Sequence, residues 1–271
     1  MSVMTTETIA TTAVTATIAT TATIATTEIE YGGPHPWQIQ PWAKAVRKAM
    51  RHKEYTHWVD DYCQPLNVKG QENLSHFSGP AIFIANHQSH MDTPVIMESL
   101  TDEIRDNLLF GAAQDRWFVK GKEKLILQPW YQSLVLGNFP IIRGGGSKAL
   151  KYASWLLEQG SHICLFPEGT RAMSDELGEF RHGVSLLALE HQVPVIPIVM
   201  KGLRELRPKG ARQIKPGPVT SSILEPIHLT HNLDVVDATK ILRNAMLREY
   251  RDTIVERPKE RVQEIPESLF Y

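Results

Sequence analysis

Short apolar runs recur along this chain, each set against a stretch with helical spacing. PAIFIA (80–85), LLFGAA (108–113), HICLF (162–166) and VPVIPIVM (193–200) have strand length and lack a polar alternation. A strand that is apolar at almost every position must be covered on both faces. NFPIIR (138–143) adds another short strand ahead of the glycines 144–146. MDTPVIMESL (91–100), the segment from Ser147 to Gln159 and GVSLLALEHQ (183–192) carry helical spacing between the runs. A further amphipathic helix is predicted over 238–255, with Ile241, Leu242, Ala245, Tyr250 and Ile254 on or near one side. Strands alternating with helices predict an α/β fold, with a largely parallel central sheet flanked by helices. The right-handed crossover rule places those helices on both faces.

The two ends fall outside this pattern. Residues 1–33 are rich in Thr, Ala and Ile and nearly repeat themselves, with no basic stretch and no apolar core of a signal peptide. They read as a low-complexity, disordered tail. Residues 34–64 read as an amphipathic helical segment. Trp42, Val46 and Met50 share one helical face over 41–53, and Lys44, Arg47, Lys48, Arg51 and Lys53 supply five positive charges. Trp37 and Trp58 flank it. Such a helix suits either a surface rich in anionic lipid or the outside of the domain itself. Residues 65–256 form the expected main domain, and 257–271, with Pro258 and Pro266, a C-terminal tail.

Bulk properties exclude some classes. A net charge of −1 argues against a general nucleic-acid binder. No run of about 18 apolar residues occurs, so a spanning helix is not expected. Cys63 and Cys164 have no metal-binding spacing, and Cys164 lies in an apolar run as a core residue does.

Two polar clusters stand at predicted strand ends. NHQSHMD (86–92) follows PAIFIA and places His87 five residues before Asp92. A carboxylate on one imidazole nitrogen fixes the tautomer and leaves the other nitrogen free to take a proton. The plainer alternative is that Asp92 caps the next helix and His87 is a turn residue. His90 is a weaker base candidate, and a metal reading of this cluster lacks a fourth ligand. FPEGTR (166–171) follows HICLF. Here Gly169 permits close backbone approach, Arg171 offers a planar fork to a phosphate, and Glu168 either orients Arg171 or braces the loop. No G-x-S-x-G elbow is present, so an attacking nucleophile belongs to a substrate.

NHQSHMD and FPEGTR, with GNFPIIR (137–143), VPVIPI (193–198) and FRHGVSLLA (180–188), resemble the ordered blocks of the glycerolipid acyltransferases. This is the 1-acylglycerol-3-phosphate acyltransferase family, with its His-x4-Asp motif. The resemblance covers roughly 65–230. GAAQDRWF, NFPIIRGG and RPKGAR are closer to acyltransferase domains fused to acyl-activating ligases, which leaves the acceptor open.

The resemblance implies His87 as general base and Asp92 as its orienting partner. It implies Lys122, Arg143, Glu168, Gly169, Thr170 and Arg171 at the glycerol phosphate, with Lys120 an alternative to Lys122. Backbone amides near Gly169 are candidate oxyanion donors. The implied reaction moves a fatty acyl group from acyl-CoA or acyl carrier protein to a hydroxyl of lysophosphatidate or a related glycerophospholipid, with no cofactor and no metal. The partners are a membrane lipid surface, the acceptor and the donor, and no nucleic acid. The implied location is peripheral, on the cytoplasmic face of a membrane. Alternatives are a thioester or ester hydrolase and an acyltransferase for another lipid acceptor. The basic stretch 201–215 reads either as a headgroup or donor contact or as a solvated loop.

Overall fold

The structure is a computed structural model that describes residues 33–118, 124–172, 174, 176–206 and 213–252. The expected tails, except Gly33, lie outside those residues, as do Lys120, Lys122 and positions 207–212 of the basic stretch.

After a short 3-10 turn the chain forms α1 (Pro41–Arg51), a π-helical turn over His52–Thr56, and α2 (His57–Tyr62). It continues as β1 (Cys63–Lys69), β2 (Ile82–Ala85), α3 (Asp92–Ser99) and β3 (Leu108–Ala113). Then come α4 (Pro129–Leu134), β4 (Asn138–Ile141), α5 (Lys151–Glu158) and β5 (His162–Leu165). The last elements are α6 (Gly183–His191), β6 (Val195–Lys201), β7 (Gly217–Ile223) and α7 (Val235–Asp252). Among the described residues no helix is long and apolar enough to cross a membrane.

The seven strands form one sheet in the order β1-β7-β6-β2-β5-β3-β4. All pairings are parallel except β6 with β7. Side chains alternate across the sheet. Ala81, Phe83 and Ala85 enter one core with Cys164, Ile196, Ile198 and Met200. Ile82 and Ile84 enter the other with Ile163, Leu165, Val195 and Val199. Both halves of each central strand are thus buried, which is why these strands read as continuous apolar runs. The first face is covered by α3 and the N-terminal helices, through Val95, Ile96, Tyr55 and Val59. The second is covered by α5, α6 and α7, through Leu156, Leu187 and Leu242.

Residues on both sides of the expected boundary at 64/65 share one core: Tyr55, Val59 and Cys63 pack with Phe83. The charged side of α1 also turns inward. Lys44 donates to Asn107 Oδ1 at 2.8 Å, Arg47 to the carbonyl of Gln38 at 2.8 Å, and Lys48 to Asp106 at 2.9 Å. Arg51 grips both Asp102 and Asp106. The buried residue of α1 is Ala43, while Trp42 is 53% exposed and Ala45 and Ala49 face outward. The helix is amphipathic, as expected: Val46 and Met50 are half-buried, Trp42 is exposed, and Lys48 and Arg51 pair with the protein's own acids.

Candidate active site

The site begins where β2 ends. Asn86 continues the sheet with its side chain: its Nδ2 donates to the carbonyl of Met200 at 2.8 Å and its Oδ1 accepts the Met200 N–H at 2.7 Å. The chain then turns back and reaches α3 at Asp92. His87 Nδ1 lies 2.6 Å from Asp92 Oδ2. That same oxygen accepts the N–H of Gln88 at 2.8 Å, and Oδ1 accepts the N–H of Ser89 at 2.9 Å. Asp92 therefore organises the turn and holds the imidazole at once. Its side chain is 1% exposed and that of His87 23%. Burial pushes the Asp92 carboxyl above the ordinary carboxylate range, opposed by the hydrogen bonds from His87, Ser89 and Gln88. With both Asp92 oxygens accepting, Nδ1 carries the proton and Nε2 is left with its lone pair.

FPEGTR follows β5, which pairs directly with β2. The Phe166 ring stacks on His87 with centroids 4.3 Å apart. Glu168 Oε1 accepts the N–H of His87 at 2.8 Å and Oε2 the N–H of Gly178 at 3.0 Å. The N–H of Ala172 donates to the carbonyl of His87 at 2.7 Å. Both backbone polar groups of His87 are therefore clamped by this loop. Of the two readings of Glu168, bracing is the one its contacts express: the buried carboxylate spends an oxygen on each of two backbone amides. Burial also raises the Glu168 pKa against those two hydrogen bonds.

Other expected site residues fare differently. The N–H of Gly169 donates to the carbonyl of Phe166 at 3.0 Å, so it is not a spare oxyanion donor. Gly169 has φ +69°, and the space a side chain would fill is occupied by Arg181. Thr170 is exposed and Arg171 half-buried in the same loop. Arg143 lies two residues past the end of β4, which stands three strands from β2, or about 14 Å across the sheet. Its guanidinium pairs with Asp115, and both are exposed. Lys122 lies outside the described residues. His90 faces the Trp117 ring edge-on at 5.6 Å, away from the His87–Asp92 pair.

Three supports of the site escaped the sequence reading. Phe166 was visible only as a member of a motif. Asn86, a polar residue directly after an apolar run, was a readable sign of a strand end. Gln88 Nε2 donates to Tyr250 Oη at 2.9 Å, tying α7 to the turn over 162 residues of sequence, which no local pattern signals.

A mostly parallel sheet carrying a hydrogen-bonded histidine–aspartate pair at the carboxyl end of a central strand defines an α/β protein with polar side chains gathered where such sheets carry their sites. The acyltransferase family profile matches residues 65–201, half of the chain, and the chain belongs to that family. It is 31% identical over 170 residues to a chloroplastic 1-acyl-sn-glycerol-3-phosphate acyltransferase of Arabidopsis thaliana, covering 60% of this chain and 44% of that protein. It is 28% identical over 218 residues to the mouse 1-acyl-sn-glycerol-3-phosphate acyltransferase alpha, covering 77% and 70%. The chain spans about half the length of the plant and algal relatives it matches. Among solved structures it resembles the 1-acyl-sn-glycerophosphate acyltransferase PlsC of Thermotoga maritima. That match has a TM-score of 0.59 and 26% identity, over 77% of this chain and 78% of that one.

Proposed function

We propose that this chain transfers a fatty acyl group from an acyl thioester to a hydroxyl of lysophosphatidate or a closely related glycerophospholipid. The observation that carries the chemistry is the His87–Asp92 pair, with Nδ1 held at 2.6 Å and Nε2 without a partner among the described residues. Nε2 takes the hydroxyl proton as the oxygen attacks the thioester carbonyl. Asp92 stabilises the imidazolium so formed. The tetrahedral oxyanion collapses, the carbon–sulfur bond breaks, and the thiolate leaves with the proton from Nε2. The products are an ester and a free thiol, with no acyl-enzyme. Acyl-CoA and acyl carrier protein both fit as donors. The acceptor reading draws on the relatives' activity. Within this chain, Arg171, Thr170 and Lys122 would meet the phosphate. Arg143 joins them by exchanging Asp115, since an exposed ion pair contributes only about 0–1 kcal/mol.

Such substrates sit in a bilayer, and the proposed location is peripheral. Docking is supported by exposed apolar side chains on neighbouring elements: Trp42 and Trp58 with Leu125, Ile126 and Trp130. Tyr131 Oη donates to Glu54 at 2.6 Å and Tyr55 Oη to the carbonyl of Leu136 at 2.8 Å, joining α4 and its flank to the N-terminal helices. Trp and aliphatic residues at a water-facing surface suit the interface of a membrane.

The test is a product assay by mass spectrometry, pairing several glycerophospholipid acceptors with acyl-CoA and acyl carrier protein donors. A new ester that requires both donor and phosphorylated acceptor is the expected result. Free fatty acid formed at the same rate without acceptor would make the chain a thioesterase instead.

A further inference from the structure

Arg181 was part of the FRHG segment in the sequence and carried no assigned role. Its backbone N–H donates to the carbonyl of Pro167 at 2.9 Å, which fixes it to the loop that clamps His87. Its side chain lies flat against Gly169. A Cβ on that glycine would stand 2.6 Å from Arg181 Nε, 3.1 Å from Cδ and 3.2 Å from Cζ. Glycine is required there for two reasons, the positive φ and the guanidinium that fills the side-chain volume.

Other arginines of the protein grip acids: Arg51 holds Asp102 and Asp106, Arg143 holds Asp115, and Arg243 holds Glu179. Arg181 is exposed, and no described residue is hydrogen-bonded to its side chain or ion-paired with it. Glu168, the nearest acid in the loop, has an oxygen on each of two backbone amides. Successive residues of the loop therefore do opposite things. Glu168 reaches His87, and Gly169 receives Arg181. Their Cα atoms are about 3.8 Å apart. An unneutralised planar fork is thus held one residue from the brace of the His–Asp pair.

We propose that Arg181 binds the phosphate of the acceptor, with Gly169 as the platform that holds its guanidinium in place. The proposal rests on the phosphorylated-acceptor reading above. A guanidinium makes two parallel hydrogen bonds to a phosphate, which an ammonium does not reproduce. It binds a phosphate monoester on a small polyol and gives nothing to an uncharged acceptor.

The test compares wild type with Arg181→Gln and Arg181→Lys. In kinetics with lysophosphatidate and with monoacylglycerol, the specificity ratio in kcat/KM should fall roughly 10- to 100-fold in Arg181→Gln. The fall should lie in KM for lysophosphatidate, with partial recovery in Arg181→Lys. An unchanged ratio overturns the proposal, as does an equal loss with both acceptors, which a merely structural role produces. Phosphorus NMR titration of the full chain with glycerol 3-phosphate needs no turnover. Wild type should bind and Arg181→Gln should not, while equal binding overturns the assignment. If wild type acylates neither acceptor yet loses glycerol 3-phosphate binding on this substitution, the functional reading fails and the phosphate site stands.

Discussion

At the scale of single residues, Asp92 and His162 illustrate opposite uses of burial. Asp92 is buried, yet three donors converge on its carboxylate, so its charge is supported and directed at His87. Asp92→Asn keeps the shape but turns an NH2 toward one of those donors and lets Nδ1 accept. The Nε2 lone pair is then lost to the wrong tautomer, and kcat should fall by roughly 10³–10⁴, with a stability loss of about 1–3 kcal/mol from the backbone donor left unpaired. His162 has no such support. It is buried beside Phe77 and Phe83, its Nδ1 has no partner among the described residues, and burial drives its pKa down to about 4. The unfolded chain binds this proton near pH 6.5 and the folded one near 4. Its contribution is therefore present above about pH 6.5 and is lost as pH falls toward 4, by up to about 3 kcal/mol. Urea midpoints at pH 7.5 and pH 5 should differ accordingly, and His162→Gln should reduce that difference. The His–Asp pair became readable in the sequence through the resemblance of NHQSHMD to the His-x4-Asp block, since the residues alone equally suit a helix cap and a turn. The sequence offered bracing as one of two readings of Glu168, but it did not reveal Phe166 or Arg181, because each acts through a contact between distant segments.

At the scale of elements, the interior strands were legible and the edge pair was not. β1 and β7 hold Asn67, Thr220, Ser221 and Ser222, which break the apolar run that identifies a strand. Ser221 passes there because its hydroxyl meets Ser99 Oγ at 2.8 Å, whereas the buried Ser222 hydroxyl has no partner among the described residues. In α1 the amphipathic pattern was legible, and the sequence left its orientation open. Helical spacing cannot tell which side meets the protein once acids such as Asp102 and Asp106 lie elsewhere in the chain. Two substitutions separate the faces. Asp106→Ala strips a partner from both Lys48 and Arg51, and should cost about 1–3 kcal/mol in chemical denaturation. Trp42→Ala should cost only about 0.5–1.5 kcal/mol, from its stack on Trp37, yet weaken co-sedimentation with lipid vesicles. Deleting residues 34–58 is a poorer test, because it also removes Tyr55 from the core.

At the scale of the whole molecule, one sheet is covered by both ends of the described chain, and the C-terminal end reaches the site. The N-terminal helices cover one face, and α7 covers the other while reaching the His87 turn through Tyr250. Unfolding monitored by a single tryptophan at position 58 should coincide with loss of far-ultraviolet circular dichroism. A separate, earlier tryptophan transition would restore the segment boundary that the core denies. The α/β architecture itself was readable because its signal is the repeated order of strand and helix. The most direct measurement of the central claim is acceptor-dependent thiol release from an acyl thioester, in wild type and in folded His87→Ala. The account predicts release that requires the acceptor and falls roughly 10²–10⁴-fold in the variant. A variant that keeps the wild-type rate would contradict it.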